Sequence, residues 1–481
     1  MTANELISIL PLVILVGWAG LLLLVDVFFT HRKRGWTAVL AVVGLSAALL
    51  VSVIQFGQES TAFNGMVVVD GFAHFLQILF TGSGIIGIAL AYPYLKRMEI
   101  HHGEFYPLLL FSISGMTLMA MAADLIVIFL ALELLSIPLY VLVGFGRPDP
   151  ASEEAAMKYF LLGAFAGGFV VYGVALSFGA TATTSLDGIV AAVAGGSADL
   201  GLLTIGAGLI LIGLGFKVAV VPFHMWTPDV YHGAPSPLVA FMAIGAKAAG
   251  FAALLRVYLA ALPNLSGELM PVFWALAALT MILGNFAAIA QQNIKRMLAY
   301  SSIAHAGYIM MALVNFGQGA VARDAVSASL FYLVAYGLTN FGAWAVVIAL
   351  EKQEGRGLML EDYYGMGAKY PLLSASMAVF MLSFIGVPPT LGFVGKFFLF
   401  RTVLQGGFIW LAVIGVLTSL VSAYYYLRVV VNMYMHEGEP EAVTTGWVRW
   451  ISGAAALGTV ALSIVSVPLF RLVSRALITL F

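Results

Sequence analysis

Four ionisable residues lie deep inside long apolar stretches of the chain: Glu133, Lys217, Lys247 and Lys396. Each such group costs about 2.5–3.5 kcal/mol at the centre of a membrane helix, so the four cost on the order of 10 kcal/mol together. Burial disfavours the charged form of a lysine, whereas a nearby carboxylate favours it. Unlike arginine, a buried lysine can therefore bind and release a proton. The four residues predict a proton relay in which Glu133, by moving toward or away from Lys217, loads or unloads it.

Two simpler interpretations of buried charges remain open. A lysine or arginine near a helix end can extend its charged group to the lipid headgroups, which suits Arg256 and Lys158. It suits Lys247 poorly, because that residue lies about eleven positions inside its apolar stretch, roughly 16 Å along a helix axis. Glu133 could also form a static ion pair with one lysine, but one glutamate cannot neutralise three lysines.

Two of the stretches contain prolines that would break a helix. Pro222 follows Lys217 by five residues, and Pro388 and Pro389 precede Lys396. Proline lacks an N–H and frees the carbonyl four residues earlier, and such breaks survive in membranes only where protein or water satisfies the freed groups. We expect two discontinuous helices beside an ion path, with the two break-and-lysine units at equivalent places of inverted repeats. Two unrelated proline kinks are the alternative.

Three other polar residues at similar depth are candidates for the same relay: His224, His305 and Tyr300. Histidine titrates near neutrality, and hydroxyl groups can hold a chain of water. The alternative for each histidine is a packed residue with a structural hydrogen bond. Asp229, in TPDVYHGAPSP, is interpreted as a turn or helix-cap residue.

Composition indicates an integral membrane protein. The chain has 481 residues, of which 62% are hydrophobic and 9% are charged, against about 25% charged residues in a soluble domain. The formal net charge of −1 offers no basic face for nucleic acid. The absence of cysteine excludes disulfides, thiolate-bound metals and iron–sulfur clusters in this chain. We expect neither a metal site nor a cofactor site here.

Apolar runs separated by short polar turns predict an all-α polytopic bundle of about fourteen transmembrane helices in a single membrane domain. Strands of a membrane barrel would be about ten residues long and would alternate in polarity, which these runs do not. The predicted spans are 6–29, 36–55, 71–93, 105–122, 124–145, 155–179, 200–228, 236–262, 270–290, 297–315, 325–350, 371–403, 407–433 and 450–470.

The distribution of lysine and arginine between the loops predicts the orientation. Loops that stay in the cytoplasm are enriched in both residues. Basic loops alternate with loops that are nearly free of them, such as 56–70 and 180–199. We therefore expect both termini on the outer side of a bacterial inner membrane. The basic side begins with His31-Arg32-Lys33-Arg34 and continues with Lys96, Arg97, Arg147, Lys158, Lys295, Arg296, Lys352, Arg356, Lys369, Arg428 and Arg449.

Several motifs in order resemble the antiporter-like membrane subunits of respiratory complex I, a family of NADH-quinone oxidoreductase subunits. The resemblance covers essentially the whole chain. Within this family the N-terminal VDGFAHF and the late YYYLRVV look most like subunit N. The motifs are VDGFAHF (69–75), GFKVAVVPFHMWTPDVYHGAPSP (215–237), AIGAKAAG (243–250), NIKRMLAYSSIAHAGY (293–308), GVPPTLGFVGKF (386–397) and YYYLRVV (424–430).

The resemblance implies a fold of fourteen helices, with discontinuous helices 7 and 12. It implies N-terminal helices in 6–103, inverted five-helix repeats in 104–265 and 266–435, and a last helix in 436–481. Glu133, Lys217, Lys247 and Lys396 match the family's buried charged positions. A lysine at 396, where the related subunit M usually has glutamate, favours subunit N. Subunit L carries a long lateral helix after its core; we expect none after span fourteen here, which disfavours subunit L.

The implied activity is proton translocation driven by quinone reduction elsewhere in the complex, as part of a translocase. Protons would enter from the cytoplasm, load Lys217 and Lys247, and leave through Lys396. FMN, iron–sulfur clusters and quinone would belong to partner subunits, and the lipid bilayer and neighbouring membrane subunits would contact this chain. A subunit of a multi-subunit sodium/proton antiporter, which shares the fold, is the first alternative. A structural membrane anchor is the second.

Overall fold

The computed structural model describes residues 3–28, 35–476 and 478. The predicted basic loop His31-Arg32-Lys33-Arg34 lies outside them. Twelve helical segments of the described residues, counted together with the 3-10 and π turns that continue them, are long and apolar enough to cross a membrane. Two shorter apolar helices accompany them, Phe105–Met121 and Pro371–Ile385. The prediction of a helical, polytopic membrane protein is confirmed. Among the described residues, a small antiparallel hairpin, β1 (Ser60–Ala62) with β2 (Val67–Val69), precedes the fourth helix.

The helices follow one another with short connections. Five short 3-10 turns lie between them, at Gly144–Gly146, Pro263–Leu265, Met311–Asn315, Gln353–Gly355 and Leu360–Tyr363. The helices are α1 (Ala3–Ser8), α2 (Leu10–Val27), α3 (Gly35–Ile54), α4 (Gly71–Arg97), α5 (Phe105–Met121), α6 (Leu125–Val143), α7 (Pro150–Thr181), α8 (Leu186–Ala194), α9 (Leu200–Val218), α10 (Trp226–Gly233), α11 (Ser236–Met242), α12 (Gly245–Leu254), α13 (Ser266–Ile289), α14 (Ile294–Met310), α15 (Ala320–Leu350), α16 (Met366–Lys369), α17 (Pro371–Ile385), α18 (Leu391–Gln405), α19 (Ile409–Met435), α20 (Gly446–Ile464) and α21 (Ser466–Val473).

The loops gather at two ends of the bundle. At one end the Arg97 Nη2 donates to the carbonyl of Ile348 at 2.5 Å, and Lys369 pairs with Glu439 at 2.9 Å. We call this end the basic face; its loops are 98–104, 144–149, 290–293, 351–370 and 436–445. At the opposite face, Ala123, just before α6, joins two neighbouring elements through its backbone. Its N–H donates to the carbonyl of Met66 in the hairpin, and its carbonyl accepts from the N–H of Leu186 in α8.

The two spans that were predicted to be discontinuous are each divided into two helices. α9 ends at Val218, and Ala219 takes a left-handed conformation with φ of 63° before α10 begins. α17 ends at Ile385, and Gly386 takes the same conformation with φ of 90° before α18 begins. α10 continues toward the basic face, whereas α18 continues toward the opposite face. Each break therefore leaves a half-helix that leads to a different side of the bundle.

A third interruption lies where the sequence offers no proline. The predicted span 236–262 consists of α11, a turn at 243–244, α12 and a π-helical segment, Leu255–Ala261. Lys247 lies in the first turn of α12. This span is buried throughout by its neighbours. Each of the three deep lysines thus lies close to an interrupted helix.

The two break-and-lysine units are not equivalent in the way that the sequence suggested. Lys217 precedes the left-handed residue of its break, whereas Lys396 follows the left-handed residue of the other break. An inverted repeat reverses direction through the membrane but keeps chain order, so the two lysines occupy different positions of the two units. The prediction of equivalent places is therefore wrong for the two lysines.

Candidate functional site

Lys217 is held at the end of α9 by two hydroxyl groups. Its Nζ donates to the Ser136 Oγ at 2.8 Å and to the Tyr159 hydroxyl at 3.0 Å. The Tyr159 ring stacks on Trp226 with centroids 4.6 Å apart, and the Trp226 Nε1 donates to the Phe216 carbonyl at 2.9 Å. The first residue of α10 therefore fixes both the end of α9 and one partner of the lysine.

Glu133 is half-buried on α6, between the exposed side chains of Leu130 and Ile137. The described residues contain no salt bridge between Glu133 and Lys217 within 4 Å. The carboxylate lies over Gly167 of α7, where a Cβ would come within 2.8 Å of Oε1. The static ion pair considered from the sequence is therefore not formed in this structure.

Lys247 lies in the most enclosed part of the bundle. Its Nζ donates to the backbone carbonyl of Ser302 and, at 2.5 Å, to the Oγ of the same residue. The Nζ also lies 6.0 Å from the centroid of the Tyr336 ring. One turn later, a Cβ on Gly250 would lie 3.5 Å from the Lys217 Cβ. The glycine lets α12 pack directly against the lysine-bearing end of α9, so the first two lysines lie on touching elements.

Lys396 binds the backbone groups that the second break sets free. Its Nζ donates to the carbonyls of Phe384 and Ile385, each at 2.9 Å, and to the Ser419 Oγ at 2.6 Å. These are the two carbonyls whose helical partners are removed by the prolines of the break. The break and the lysine therefore form one unit, in which the ammonium group satisfies carbonyls at membrane depth.

His305 links the surroundings of Lys247 and Lys396. Its Nδ1 lies 2.5 Å from the Tyr332 hydroxyl and its Nε2 lies 3.1 Å from the Tyr426 hydroxyl. The Tyr426 hydroxyl lies 2.5 Å from the Ser301 Oγ, next in the chain to the serine that binds Lys247. A neutral imidazole donates at one nitrogen and accepts at the other, so His305 can pass a proton between the two tyrosines.

The other candidates from the sequence lie outside these contacts. His224 is half-buried in the first break, and its Nδ1 has no hydrogen-bond partner among the described residues. Tyr300 is half-buried on α14, and no hydrogen bond joins it to the lysines within the described ranges. The N–H of Val221, just before Pro222, donates to the Thr280 Oγ1 at 2.9 Å. This contact ties the first break to α13.

Arg256 does not extend to the headgroups as the sequence suggested. It is 1% exposed and forms a bidentate pair with Asp70, which is 0% exposed, with N–O distances of 2.7 and 3.0 Å. Its Nε donates to the Ala120 carbonyl at 2.7 Å. A guanidinium group in the π-helical segment therefore joins that segment to α4 and α5 inside the protein.

Asp229 does not cap a helix. It lies in the first turn of α10 and accepts from the Lys158 Nζ at 2.7 Å and from the Arg296 Nη1 at 2.9 Å. Lys158 also pairs with Glu154 one turn earlier in α7. The half-helix α10 is thus tied by charge to α7 and α14 rather than ended by this residue.

The sequence comparisons agree with these features. Residues 122–422 match a family model described as the membrane part of NADH:quinone oxidoreductase/Mrp antiporter proteins. The chain is 47% identical to NADH-quinone oxidoreductase subunit N of Chloroflexus aggregans over 98% of this chain and 96% of the relative. The chain belongs to the subunit N family of NADH-quinone oxidoreductases. The matched region includes all four deep charges and His305.

Solved structures give the same fold for this member of the subunit N family. A chain of respiratory complex I from Thermus thermophilus with bound aureothin superposes with a TM-score of 0.83 at 36% identity, covering 96% of this chain and 99% of that one. A chain of the Mrp complex from Dietzia sp. DQ12-45-1b superposes with a TM-score of 0.85 at 20% identity, covering 99% and 97%. The second likeness concerns the fold alone.

Proposed function

We propose that the chain translocates protons as a membrane subunit of an NADH:quinone oxidoreductase and uses its buried lysines as proton-binding sites. The observation that carries the proposal is the set of partners of Lys217, Lys247 and Lys396. Each is at most 4% exposed, and in the described part of the chain each donates to hydroxyls or carbonyls and to no carboxylate within 4 Å. A buried ammonium group without a counter-ion is costly, so small movements of its partners can change its protonation.

The hydrogen-bonded groups suggest a route for the proton. Lys217 and Lys247 lie on elements that touch at Gly250. From Lys247 the route continues through Ser302 to its neighbour Ser301, and then through Tyr426, His305 and Tyr332. The Lys396 Nζ lies 4.5 Å from the ring of Tyr308, which packs against His305. Water between these groups would complete the path.

The half-helices α10 and α18 support a direction for proton movement through the chain. α10, next to Lys217, continues to the basic face, and α18, which carries Lys396, continues to the opposite face. With the basic face in the cytoplasm, protons would load Lys217 and Lys247 from the cytoplasm and leave through Lys396. Both termini would then lie on the outer side of the membrane, and approach of Glu133 to Lys217 would gate the first step.

The same proposal includes fourteen helices with two inverted repeats, in 104–265 and 266–435. The same kind of contact occurs once in each proposed repeat and supports it. Asp124, just before α6, forms an isolated antiparallel β-bridge with Ser185, and Asn293, just before α14, forms one with Met359. These two bridges lie at opposite faces of the bundle. FMN, iron–sulfur clusters and quinone would be held by partner subunits, which the chain would join through its membrane surface.

Purification through an affinity tag on this chain distinguishes the two candidate functions. We expect the chain to bring with it flavin, iron–sulfur clusters and NADH-dependent quinone reduction, and vesicles of the assembly to take up protons when NADH is added. A preparation without flavin or iron, which exchanges sodium for protons when reconstituted, would contradict the proposal. It would favour the antiporter, whose fold the chain shares.

Gly167 offers a test of the gate. A valine there would push the Glu133 carboxylate, which lies 2.8 Å from the position of the added Cβ. We expect Gly167→Val to slow proton uptake by inverted vesicles about tenfold, the effect of roughly 1.4 kcal/mol, with the assembly intact. Gly168→Val is the matched control, because a Cβ there meets nothing within 4 Å. Equal proton uptake by the two variants would exclude the gate.

A further inference from the structure

A cavity of about 770 Å³ opens on the basic face, away from the three lysines. Loops from both halves of the chain surround it. Its rim includes Arg147, Asp149 and Gln353, and its inner wall includes His232, Lys295 and Glu351. Polar side chains of both signs therefore line a space large enough for several waters.

The inner wall contains a buried ion pair that is only partly satisfied. The Lys295 Nζ donates to the Glu351 Oε1 at 3.2 Å and to the Ala234 carbonyl at 2.9 Å. The Glu351 Oε2 and the His232 Nδ1 have no hydrogen-bond partner among the described residues. A buried carboxylate oxygen without a partner costs free energy, and water in the cavity is the group that can satisfy it. Because Lys295 and Glu351 both line the cavity, we expect water that enters it to reach the pair.

The same pair lies at the start of two elements that lead inward. Lys295 is on α14, two turns or roughly 10 Å before Ser302, which binds Lys247. Ala234, which accepts from Lys295, lies two residues before the start of α11, and α11 leads to the interruption beside Lys247. Ser236, in the first turn of α11, is buried, and its hydroxyl has no partner within the described ranges. Polar groups thus continue from the cavity wall toward the central lysine.

We propose that protons enter the chain through this cavity and that the Lys295–Glu351 pair is the first group to exchange them with water. The inference rests on the proposed function, because it supplies the protons that Lys247 passes on. It assigns a role in proton entry to Lys295 and Glu351, which lie outside the relay. Their ion pair would otherwise be interpreted as a structural link between α14 and the end of α15.

The exchange conserves protons and charge. A hydronium ion in the cavity protonates the free oxygen of Glu351 and leaves water behind. Lys295, now without its counter-ion, releases one ammonium proton to water that spans the roughly 10 Å to Ser302, and this water passes a proton by way of Ser302 to the neutral amine of Lys247. The Glu351 carboxyl then returns its proton to the Lys295 amine, which restores the ion pair. One proton has moved from the cavity to Lys247.

A reversible plug tests the cavity. The chain has no cysteine of its own, so Gln353→Cys places a single thiol of this chain at the rim. We expect a bulky, membrane-impermeant thiosulfonate, added to inverted vesicles of the whole complex, to abolish NADH-driven proton uptake, and dithiothreitol to restore it. Glu361→Cys, in a neighbouring cavity of about 670 Å³ on the same face, is the matched control and should keep its proton uptake when labelled. Unchanged uptake by labelled Gln353→Cys would overturn the inference.

Glu351→Gln tests the ion pair. Glutamine keeps the size of the side chain and an oxygen for Lys295 but removes its counter-ion, so a purely structural role predicts a less stable complex whose assembled fraction takes up protons at the wild-type rate. Proton exchange at Glu351 predicts an assembled complex with proton uptake lost across the pH range, and wild-type uptake in this variant would overturn the inference. Loss of uptake in Lys217→Ala, together with normal uptake in labelled Gln353→Cys, would reject the cavity and leave the proposed function standing. Normal uptake in both would reject the function as well.

Discussion

Lys217→Ala is expected to reduce NADH-driven proton translocation by roughly 10²-fold or more. Without the lysine, a proton must cross an apolar gap at a cost of several kcal/mol, and each 1.4 kcal/mol is a factor of ten in rate. The substitution removes two side-chain hydrogen bonds, to Ser136 and Tyr159, and no backbone hydrogen bond. Assembly should therefore survive. Dye quenching in proteoliposomes measures the translocation, and quinone reduction is measured in the same sample.

Lys217→Arg separates proton transfer from a structural role of the charge. Arginine keeps the positive charge and donors for the two hydroxyls but stays protonated. If the lysine only fixed the end of α9, arginine would restore translocation; if it binds and releases a proton, arginine fails as alanine does. Lys369→Ala, which removes an exposed loop lysine paired with Glu439, should translocate normally. Wild-type translocation by Lys217→Ala would reject the relay.

Local chemistry made the deep lysines and the two proline breaks predictable. A charge in an apolar run and a residue without an N–H can be recognised without knowledge of their neighbours. The second break shows how far such reasoning reaches. The prolines identify the carbonyls of Phe384 and Ile385 as free groups, and Lys396 binds these two carbonyls. Chain order alone also shows that this lysine is not the counterpart of Lys217.

The partners of the lysines could not be predicted in the same way. Ser136 and Tyr159 come from α6 and α7, and Ser419 comes from α19. Hydroxyl groups are common in membrane helices and follow no pattern that marks their role. Which of them faces a lysine is set by how whole helices pack. Tyr426 shows the same limit, because its contact with His305 joins α14 to α19, two helices that are far apart in the chain.

The third interruption had no signal of the proline kind. The turn at 243–244 precedes Gly245, which packs against Met116 of α5. Glycines are frequent in this chain, 51 in all, so one more before Lys247 did not stand out. The irregular turn and the π-helical segment after α12 both arise in the most enclosed span of the protein. Tertiary packing there overrides the regular helix that the apolar run alone predicts.

Arg256→Met is expected to destabilise the folded chain by about 3–5 kcal/mol, because removing one partner of a buried ion pair leaves an uncompensated charge. The charge left behind is the carboxylate of Asp70, which is fully buried, and the Ala120 carbonyl also loses its donor. Because methionine fills much of the space of the arginine side chain, the loss of stability comes mainly from the unpaired charge and not from a cavity. Thermal denaturation of the purified complex, followed through this chain, measures the change. Arg323→Met, at an exposed arginine on the opposite face, is the control.

The double variant Arg256→Met with Asp70→Asn shows whether the pairing is the cause. Asparagine removes the buried charge and can still accept from the N–H of Ala73, which Asp70 caps at the start of α4. If the two residues act as a pair, the double variant should be more stable than Arg256→Met alone, with a coupling energy in the range of 0.5–3 kcal/mol that contacting residues show. Additive losses would mean that the arginine stabilises the chain through its packing against Phe72, whose ring centroid lies 5.0 Å from the guanidinium carbon, and through the Ala120 carbonyl. Recovery of stability in the double variant would instead show that Arg256 is needed because Asp70 is charged. The ion pair would then be the contact that links the start of α4 to the π-helical segment beyond Lys247.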